Sequence, residues 1–166
     1  MADLTPLERL QPALLDRLTD NAPEKQQESR EERVMGKNRF RQAVLRDLAW
    51  LFNSTRLEAG RDLSRWPHVQ RSVLNYGVVS LTGKTASNLR TSDLERLLTK
   101  SIERFEPRII ARTLKVRVAA GEMSGRPNTL VLTIEGDLWG DPFPEALFIR
   151  TQLDLETGNV TVEEHS

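Results

Sequence analysis

The tripeptide Glu106-Pro107-Arg108 combines residue types and a spacing that suit it to bind another molecule. Pro107 fixes its own φ angle and disfavours helical geometry at Glu106, so the segment is predicted to be extended. Side chains two residues apart in an extended segment project to the same side. We therefore expect Glu106 and Arg108 to point together, as a carboxylate acceptor beside a bidentate guanidinium donor.

Two uses of this pair are open. It can close on itself, or it can bind two groups of a partner while Pro107 keeps the frame stiff. The simpler alternative is an ordinary corner between a helix and a strand, with an exposed ion pair worth ~0–1 kcal/mol. The physics of surface ion pairs, taken alone, favours that simpler alternative.

Groups that carry enzymatic chemistry are few elsewhere in the chain. There is no cysteine, and the two histidines, His68 and His165, lie far apart and outside any metal-binding spacing. Residues 77–85 end in Gly-Lys-Thr but hold one residue too many between their glycines for a phosphate-binding loop. We predict no metal, no cofactor and no enzymatic activity.

A pair of carboxylates is the enzymatic alternative that stays open. Glu106 as a general acid, with Glu135, Asp137 or Asp141 as its partner, would suit glycoside hydrolysis and hence a muramidase that cleaves peptidoglycan. Nothing in the sequence fixes the separation of two such carboxyl groups. Aromatic residues, which line many sugar-binding grooves, make up 5% of the chain. These features argue against the enzyme.

The composition describes a soluble, globular protein. The chain has 166 residues, and 24 basic residues balance 24 acidic ones. This neutrality argues against nucleic acid as a partner, because phosphate binding needs a basic excess. The N-terminal residues do not resemble a secretory signal, and the longest apolar run, residues 48–52, is far shorter than the ~20 residues that span a bilayer. We expect a cytoplasmic protein without direct membrane insertion.

Hydrophobic periodicity predicts two long helices. The first covers residues 38–52, with an apolar face of Phe40, Val44, Leu45, Leu48 and Phe52. The second begins at a capping box, with Ser92 at the N-cap and Glu95 reaching back to it. It ends near Phe105, because Pro107 disfavours helical geometry at Glu106. Its apolar residues are Leu94, Leu97, Leu98, Ile102 and Phe105.

The apolar period changes from helical to alternating after Pro107. Alternation over residues 114–118, 130–135 and 147–155 predicts three strands, and residues 156–159 form a hairpin turn into a fourth at 160–162. Short turns between consecutive strands imply antiparallel pairing. The predicted fold class is α+β, with N-terminal helices packed on one face of a C-terminal antiparallel sheet.

The N-terminal part differs in composition from the rest. We divide the chain into a leucine-rich segment with a charged linker, residues 1–38, and a single α+β domain, residues 39–166. Leu14, Leu15 and Leu18 have helical spacing, whereas residues 24–33 contain no apolar residue. The leucines form either a helix folded back on the domain or a short docking peptide on a tether, since so short a helix needs a surface to pack on.

Several stretches, in order, resemble one known family. The leucine-rich start at residues 14–18, residues 71–77 ending in Tyr-Gly, the tripeptide within residues 104–108, and the final hairpin at residues 150–158 resemble the small baseplate wedge protein of contractile phage tails and type VI secretion systems. The secretion-system branch of this family is called TssE. Val79 and Ser80 stand where the family often has a proline and an acidic residue, and Ile109 stands where leucine is frequent.

The resemblance implies a structural role in a sixfold baseplate. Its partners would be the larger wedge subunits, the sheath proteins and the central spike or hub, in a cytoplasmic baseplate docked at the inner membrane. Sheath subunits join by strand exchange, which a free sheet edge allows. Glu106 and Arg108 would contact the helical bundle of the wedge subunits, with Pro107 as the stiffener. Two alternatives stay open: the muramidase, which older family descriptions suggest, and a regulatory adaptor of the same fold.

Overall fold

Helices precede strands along the chain. The computed structural model describes residues 13–19, 23–24, 36–80, 90–120, 129–140 and 144–162. Its helices are α1 (Leu14–Leu18), α2 (Lys37–Phe52), α3 (Pro67–Gln70) and α4 (Thr91–Phe105), joined in part by short 3-10 turns. Its strands are β1 (Lys115–Ala120), β2 (Thr129–Leu138), β3 (Glu145–Asp154) and β4 (Val160–Thr161). The α+β class predicted from the sequence is confirmed.

The strands form one antiparallel sheet in the order β1-β2-β3-β4. Alternate residues of each long strand are buried, as the period of two predicts. Helices α2 and α4 place their apolar stripes in the same core as that buried face, so the predicted layering of helices on one sheet face is confirmed. The core residues with no exposed surface are Val44, Leu48, Ile102, Ile134, Leu138 and Ile149.

The N-terminus of α4 differs from the prediction. The N-cap residue is Arg90, no side chain caps the helix, and Ser92 lies inside the first turn. Glu95 does not reach back to the helix start, because its Oε1 accepts a hydrogen bond of 2.8 Å from the backbone N–H of Val118 in β1. The predicted capping box is therefore wrong: an edge N–H of the sheet takes the carboxylate that the box requires.

Helix α1 has its acid turned inwards and its leucines turned outwards. Leu14 and Leu18 are 73% and 74% exposed, whereas the side chain of Asp16 is only 5% exposed. The guanidinium of Arg46 in α2 donates a hydrogen bond of 2.8 Å to Asp16 Oδ1. Helix α1 thus contacts the domain through an ion pair while Leu14 and Leu18 stay exposed, which combines features of both alternatives. The division at residues 38/39 stays a prediction, and most of the charged stretch lies outside the described residues.

Two loop segments on either side of α3 are joined by backbone hydrogen bonds. Val78 N–H donates to Ser54 O at 2.8 Å, and Arg56 N–H donates to Val78 O at 3.0 Å. Gly77 has a φ of +112°, and a Cβ there would lie 2.3 Å from Ser54 O, so only glycine fits.

No helix among the described residues is long and apolar enough to cross a membrane.

Candidate functional site

The corner between α4 and the sheet is a β-turn. Glu106 N–H donates to Ile102 O at 2.8 Å, which completes the helix, and Ile109 N–H donates to Glu106 O at 3.2 Å, which closes the turn. Pro107 therefore occupies the second turn position, where its fixed φ is favoured. Glu106 has φ −127° and ψ 71°, outside the helical region but short of a fully extended ψ. The predicted extended segment is thus replaced by a turn.

The side chains of Glu106 and Arg108 nevertheless point together, as predicted. Arg108 Nε donates to Glu106 Oε1 at 2.6 Å, and Arg108 Nη2 donates to Oε2 at 2.5 Å. The backbone N–H of Arg108 donates to the same carboxylate at 3.3 Å. Of the two uses left open by the sequence, the structure has the pair closed on itself. Glu106 is 2% exposed, so the simpler alternative of an exposed pair is wrong.

Asp47 of α2 is the third member of this cluster. Arg108 Nη2 also donates to Asp47 Oδ2 at 2.5 Å, while Arg46 Nε donates to Asp47 Oδ1 at 2.9 Å. Because Arg46 also binds Asp16, charges of alternating sign run from the corner to α1. We call this set the ionic chain: Glu106, Arg108, Asp47, Arg46 and Asp16. At one end Arg108 holds the turn against Asp47 of α2, and at the other end Arg46 of α2 holds Asp16 of α1.

The charges of the ionic chain reinforce one another. Burial acts to lower the pKa of Arg108, but the hydrogen bonds and negative charges of Glu106 and Asp47 outweigh it and raise that pKa above its ordinary value. The same balance, with Asp16 and Asp47 as partners, raises the pKa of Arg46. Both guanidinium groups therefore stay charged. Arg108 Nη1 is buried without a hydrogen-bond acceptor among the described residues.

Aromatic rings surround the ionic chain. The Arg108 guanidinium lies 5.9 Å from the centre of the Phe40 ring. Tyr76 packs edge-on against Phe105 with their ring centres 5.1 Å apart, and its hydroxyl donates to the backbone oxygen of Asp47 at 3.4 Å. These rings cover part of the ion pairs, and the side chains of Arg108 and Asp47 are only 17% and 24% exposed, which strengthens the electrostatic interactions there.

The corner is also tied to the end of β2. Trp139 N–H donates to Arg108 O at 2.7 Å, and Ile110 N–H donates to Asp137 O at 2.8 Å. Pro107 at the tip of the turn is exposed, and the Trp139 side chain is half-exposed. The fold thus buries the acid of the tripeptide, partly buries its arginine, and presents its proline to the outside.

This geometry bears on the carboxylate pair considered for glycoside hydrolysis. Both oxygens of Glu106 accept hydrogen bonds from Arg108 in a buried position, so this acid does not face a substrate in solvent. Asp137 uses its backbone N–H and C=O to bind Thr113 and Ile110 beside β1. Asp141 lies outside the described residues. The carboxylate that the structure places beside Glu106 is that of Asp47, and Arg108 Nη2 binds both of these acids.

The described ranges contain no cluster of three or more histidine, cysteine, aspartate or glutamate side chains that would hold a metal ion. His68 lies exposed in α3, and His165 is outside the described residues.

The edges of the sheet form a second candidate surface. At the β1 edge, Glu95 takes the outward N–H of Val118. At the other edge, the Asn53 side chain both donates to Val160 O and accepts from Val160 N–H, at 2.9 Å each. Helix α2, through its C-cap, and helix α4 therefore each close part of an edge, a protection against unwanted strand pairing.

One part of the edge is left without a neighbouring strand. Strand β2 pairs with β3 along all of Glu145–Asp154, but β4 pairs only with Gln152 and Leu153. Because Asp137 directs its backbone groups towards β1, the residue opposite it, Ala146, directs its own N–H and C=O away from β2. Among the described residues no strand lies beside residues 145–149 on that outer side. We call residues 145–149 the open edge.

Sequence reasoning missed two contributors to these surfaces. The helical period predicts only that Asp47 lies off the apolar face of α2, and no local pattern pairs it with an arginine 61 positions away. Asparagine favours turns, so Asn53 is predicted to end α2, yet its amide also bonds to β4, 107 positions away. The position of Asn53 after a helical pattern predicts that it caps α2, but no sequence pattern predicts its contact with β4.

Comparison with known proteins gives one family. A family model described as "Baseplate wedge protein gp25" matches residues 38–142, well over half of the chain. The matched region runs from α2 past the corner to the segment after β2. No significant match was found to a curated protein or to a solved structure.

The first prediction concerns the buried pair. Glu106→Ala leaves Arg108 with one of its two acids, and breaking a buried pair lowers the free energy of unfolding by about 3–5 kcal/mol. Asp93→Ala is the control, because it breaks an exposed pair with Arg96 and should change stability by ~0–1 kcal/mol. Urea unfolding followed by circular dichroism measures both. Equal, small effects would contradict the internal role of Glu106.

The second prediction uses Tyr76, the single tyrosine of the chain. Burial, with the negative charges of Asp47 and Glu106, raises the pKa of Tyr76 above its ordinary value of 10.0. The neutral phenol is thus favoured in the folded state. Its contribution to stability is complete below the ordinary pKa and is lost as pH rises through the folded value.

Tyrosinate absorbance measured against pH checks this directly. The folded protein should titrate above 10.0, the protein in urea should titrate at about the ordinary pKa, and Asp47→Asn should lower the folded midpoint part of the way. Identical midpoints for the folded and the unfolded protein would refute the expected packing of Tyr76 against the ionic chain.

Proposed function

The chain belongs to the baseplate wedge protein gp25 family, and we propose that it is a structural subunit of a type VI secretion baseplate that joins the larger wedge subunits to the first sheath ring. The proposal places the protein in the TssE branch, in the cytoplasm, in a baseplate docked at the inner membrane. It acts by assembly and not by catalysis. The observation that carries it is the open edge of β3, beside a rigid corner.

The corner supports the contact with the wedge subunits. Arg108 binds both Glu106 and Asp47 and thereby holds the turn in place, so Pro107 is exposed in one fixed geometry. A fixed surface loses little conformational entropy on binding, which favours association. In this proposal Pro107 and the exposed part of Arg108 contact the partner. Glu106 is a positioning residue that acts through Arg108 and not a direct contact.

The open edge supports the contact with the sheath. Unpaired backbone groups on an edge strand accept a further strand from another chain, and main-chain hydrogen bonds then supply the affinity. The outward N–H and C=O groups of Ala146 begin this edge. Asn53 limits pairing at the β4 end, and Glu95 limits pairing at the β1 edge, so an incoming sheath strand is directed to residues 145–149.

Neither alternative function is favoured by a specific observation. Glu106, the acid proposed for a muramidase, is committed to Arg108 in a buried position. A regulatory adaptor of the same fold needs one soluble partner surface, whereas the corner and the open edge are two separate surfaces. The central spike or hub stays a further proposed partner without a surface of its own.

The third prediction tests the open edge. Ala146→Pro removes one outward N–H without removing a hydrogen bond to β2, and proline is tolerated on edge strands. We expect the variant to fold and to enter baseplates, but to support at most about a tenth of the normal number of sheaths. Loss of about 1.4 kcal/mol of binding free energy lowers the affinity for the sheath strand tenfold. Counting fluorescent sheaths in cells measures this.

Ala146→Val is the matched control. It enlarges the same exposed side chain but keeps the N–H, so sheath number should stay normal. Normal sheaths with Ala146→Pro would exclude strand addition at this edge. Loss of sheaths with both variants would show that the side chain matters and the backbone N–H does not, which also contradicts the proposal.

A further inference from the structure

A cavity of about 200 Å³ lies between the C-terminal half of α4 and the loop segments on either side of α3. We call it the basic pocket, because its described lining includes the cations Arg56, Arg71, Lys100 and Arg104. Glu58 is the sole acid among the described lining residues. The tripeptide is not part of this lining.

The Glu58 carboxylate accepts hydrogen bonds from neighbouring side-chain amides. Its Oε1 accepts from Gln70 Nε2 at 2.5 Å, and its Oε2 accepts from Asn75 Nδ2 at 3.4 Å. Its backbone N–H donates to Asn75 Oδ1 at 2.9 Å, which holds the carboxylate in place. The nearest Arg56 nitrogen is 3.9 Å from Oε2, so the contact with that cation is long. The pocket therefore keeps an excess of positive charge.

Three of the four pocket cations have no acidic partner among the residues that the structure describes. Arg71, Lys100 and Arg104 form no ion pair within the described ranges, and Arg56 Nε is buried without an acceptor there. Lys100 and Arg104 are one helical turn apart, where like charges destabilise a helix. The helix dipole accounts for Arg104 in the last turn of α4 but not for Lys100, which precedes that turn, nor for Arg71. Within the described ranges, the cluster therefore has fewer acidic groups than cationic ones.

Exposed apolar side chains lie next to the pocket in the chain. Leu57 stands between the lining residues Arg56 and Glu58, and the largely exposed Val73 and Leu74 directly precede the lining residue Asn75. A basic centre beside apolar side chains matches a protein segment that carries both carboxylates and apolar residues. A free phosphate leaves the apolar residues unused, and the cations of the described lining form one cluster and not the extended basic track that nucleic acid needs.

We propose that the basic pocket binds an acidic segment of another baseplate subunit, with carboxylates on Arg71, Lys100 and Arg104 and with apolar side chains on Val73 and Leu74. This inference rests on the proposed function, because the segment belongs to a baseplate partner. It adds a third docking surface, which relies on charge where the corner relies on shape and the open edge on main-chain hydrogen bonds.

The test is photocrosslinking in assembled baseplates. A benzophenone amino acid replaces Leu74 in the full chain, and a second protein carries it at Trp139 beside the corner. We expect the Leu74 probe to crosslink a segment of another baseplate subunit with acidic residues near the crosslinked position. Lys100→Glu with Arg104→Glu should lower that yield about tenfold through like-charge repulsion, and should leave the Trp139 yield unchanged.

Arg96→Glu with Arg112→Glu is the matched control. It changes the net charge equally at exposed positions outside the pocket, so the Leu74 crosslink should persist. The neutral pair Lys100→Gln with Arg104→Gln gives a milder form of the test, and circular dichroism confirms that each variant is folded.

The outcomes separate the two proposals. If the Trp139 probe crosslinks wedge subunits and the Leu74 probe crosslinks nothing, or a segment without acids, the pocket proposal is overturned and the baseplate role stands. A Leu74 crosslink insensitive to charge reversal also overturns it. If neither probe crosslinks a baseplate subunit, the proposed function fails as well.

Discussion

The buried contact of Arg108 with Glu106 and Asp47 is the interaction on which the candidate site depends. Taking these charges out of water is costly, and their attraction repays it only when geometry and hydrogen bonding are good. Here the guanidinium binds both oxygens of Glu106 and one of Asp47. One arginine thereby joins the end of α4, the turn into the sheet and the middle of α2. Each hydrogen bond to Arg108 has a defined direction, and together these bonds hold the corner in one geometry.

The two candidate docking surfaces, the exposed side of the turn and the open edge, are connected to this contact through strands β2 and β3. Pro107 lies on the outer side of the turn, and Trp139 is tied to it through the backbone oxygen of Arg108. Strand β2 connects this corner to β3, whose edge is open over residues 145–149. Side chains at the ends of other elements, Glu95 and Asn53, limit pairing elsewhere. A rigid corner and one directed edge on the same sheet suit a subunit that joins two kinds of partner.

Local patterns predicted the elements because local forces determine them. The bounds of α2, the C-terminal end of α4 and the hairpin at residues 156–159 follow from apolar period, proline and turn residues, and the structure agrees with them. The exception at Glu95 is instructive: a capping box satisfies only local groups, and a buried strand N–H from 23 positions away competes for the same carboxylate. The inward orientation of Asp16 in α1 has the same origin, a partner on another element.

The candidate site was predictable in its residues but not in its arrangement. Proline at position 107 indicated a stiff corner, and the spacing indicated that its two charged side chains point together. Whether they close on each other or face a partner depends on burial, and burial depends on Asp47, Phe40 and Tyr76, which no local pattern connects to the tripeptide. Resemblance to a family suggested the role, and because Glu106 is buried, our proposal puts the contact on the exposed side of the turn.

A density map of the assembled baseplate, resolved to side chains at this corner, tests the central claim most directly. The account predicts that Arg108 still binds both Glu106 and Asp47 in the assembly, while the wedge partner packs against Pro107 and the exposed part of Arg108. A map in which Glu106 and Arg108 are separated, each bound to a group of the partner, would contradict it.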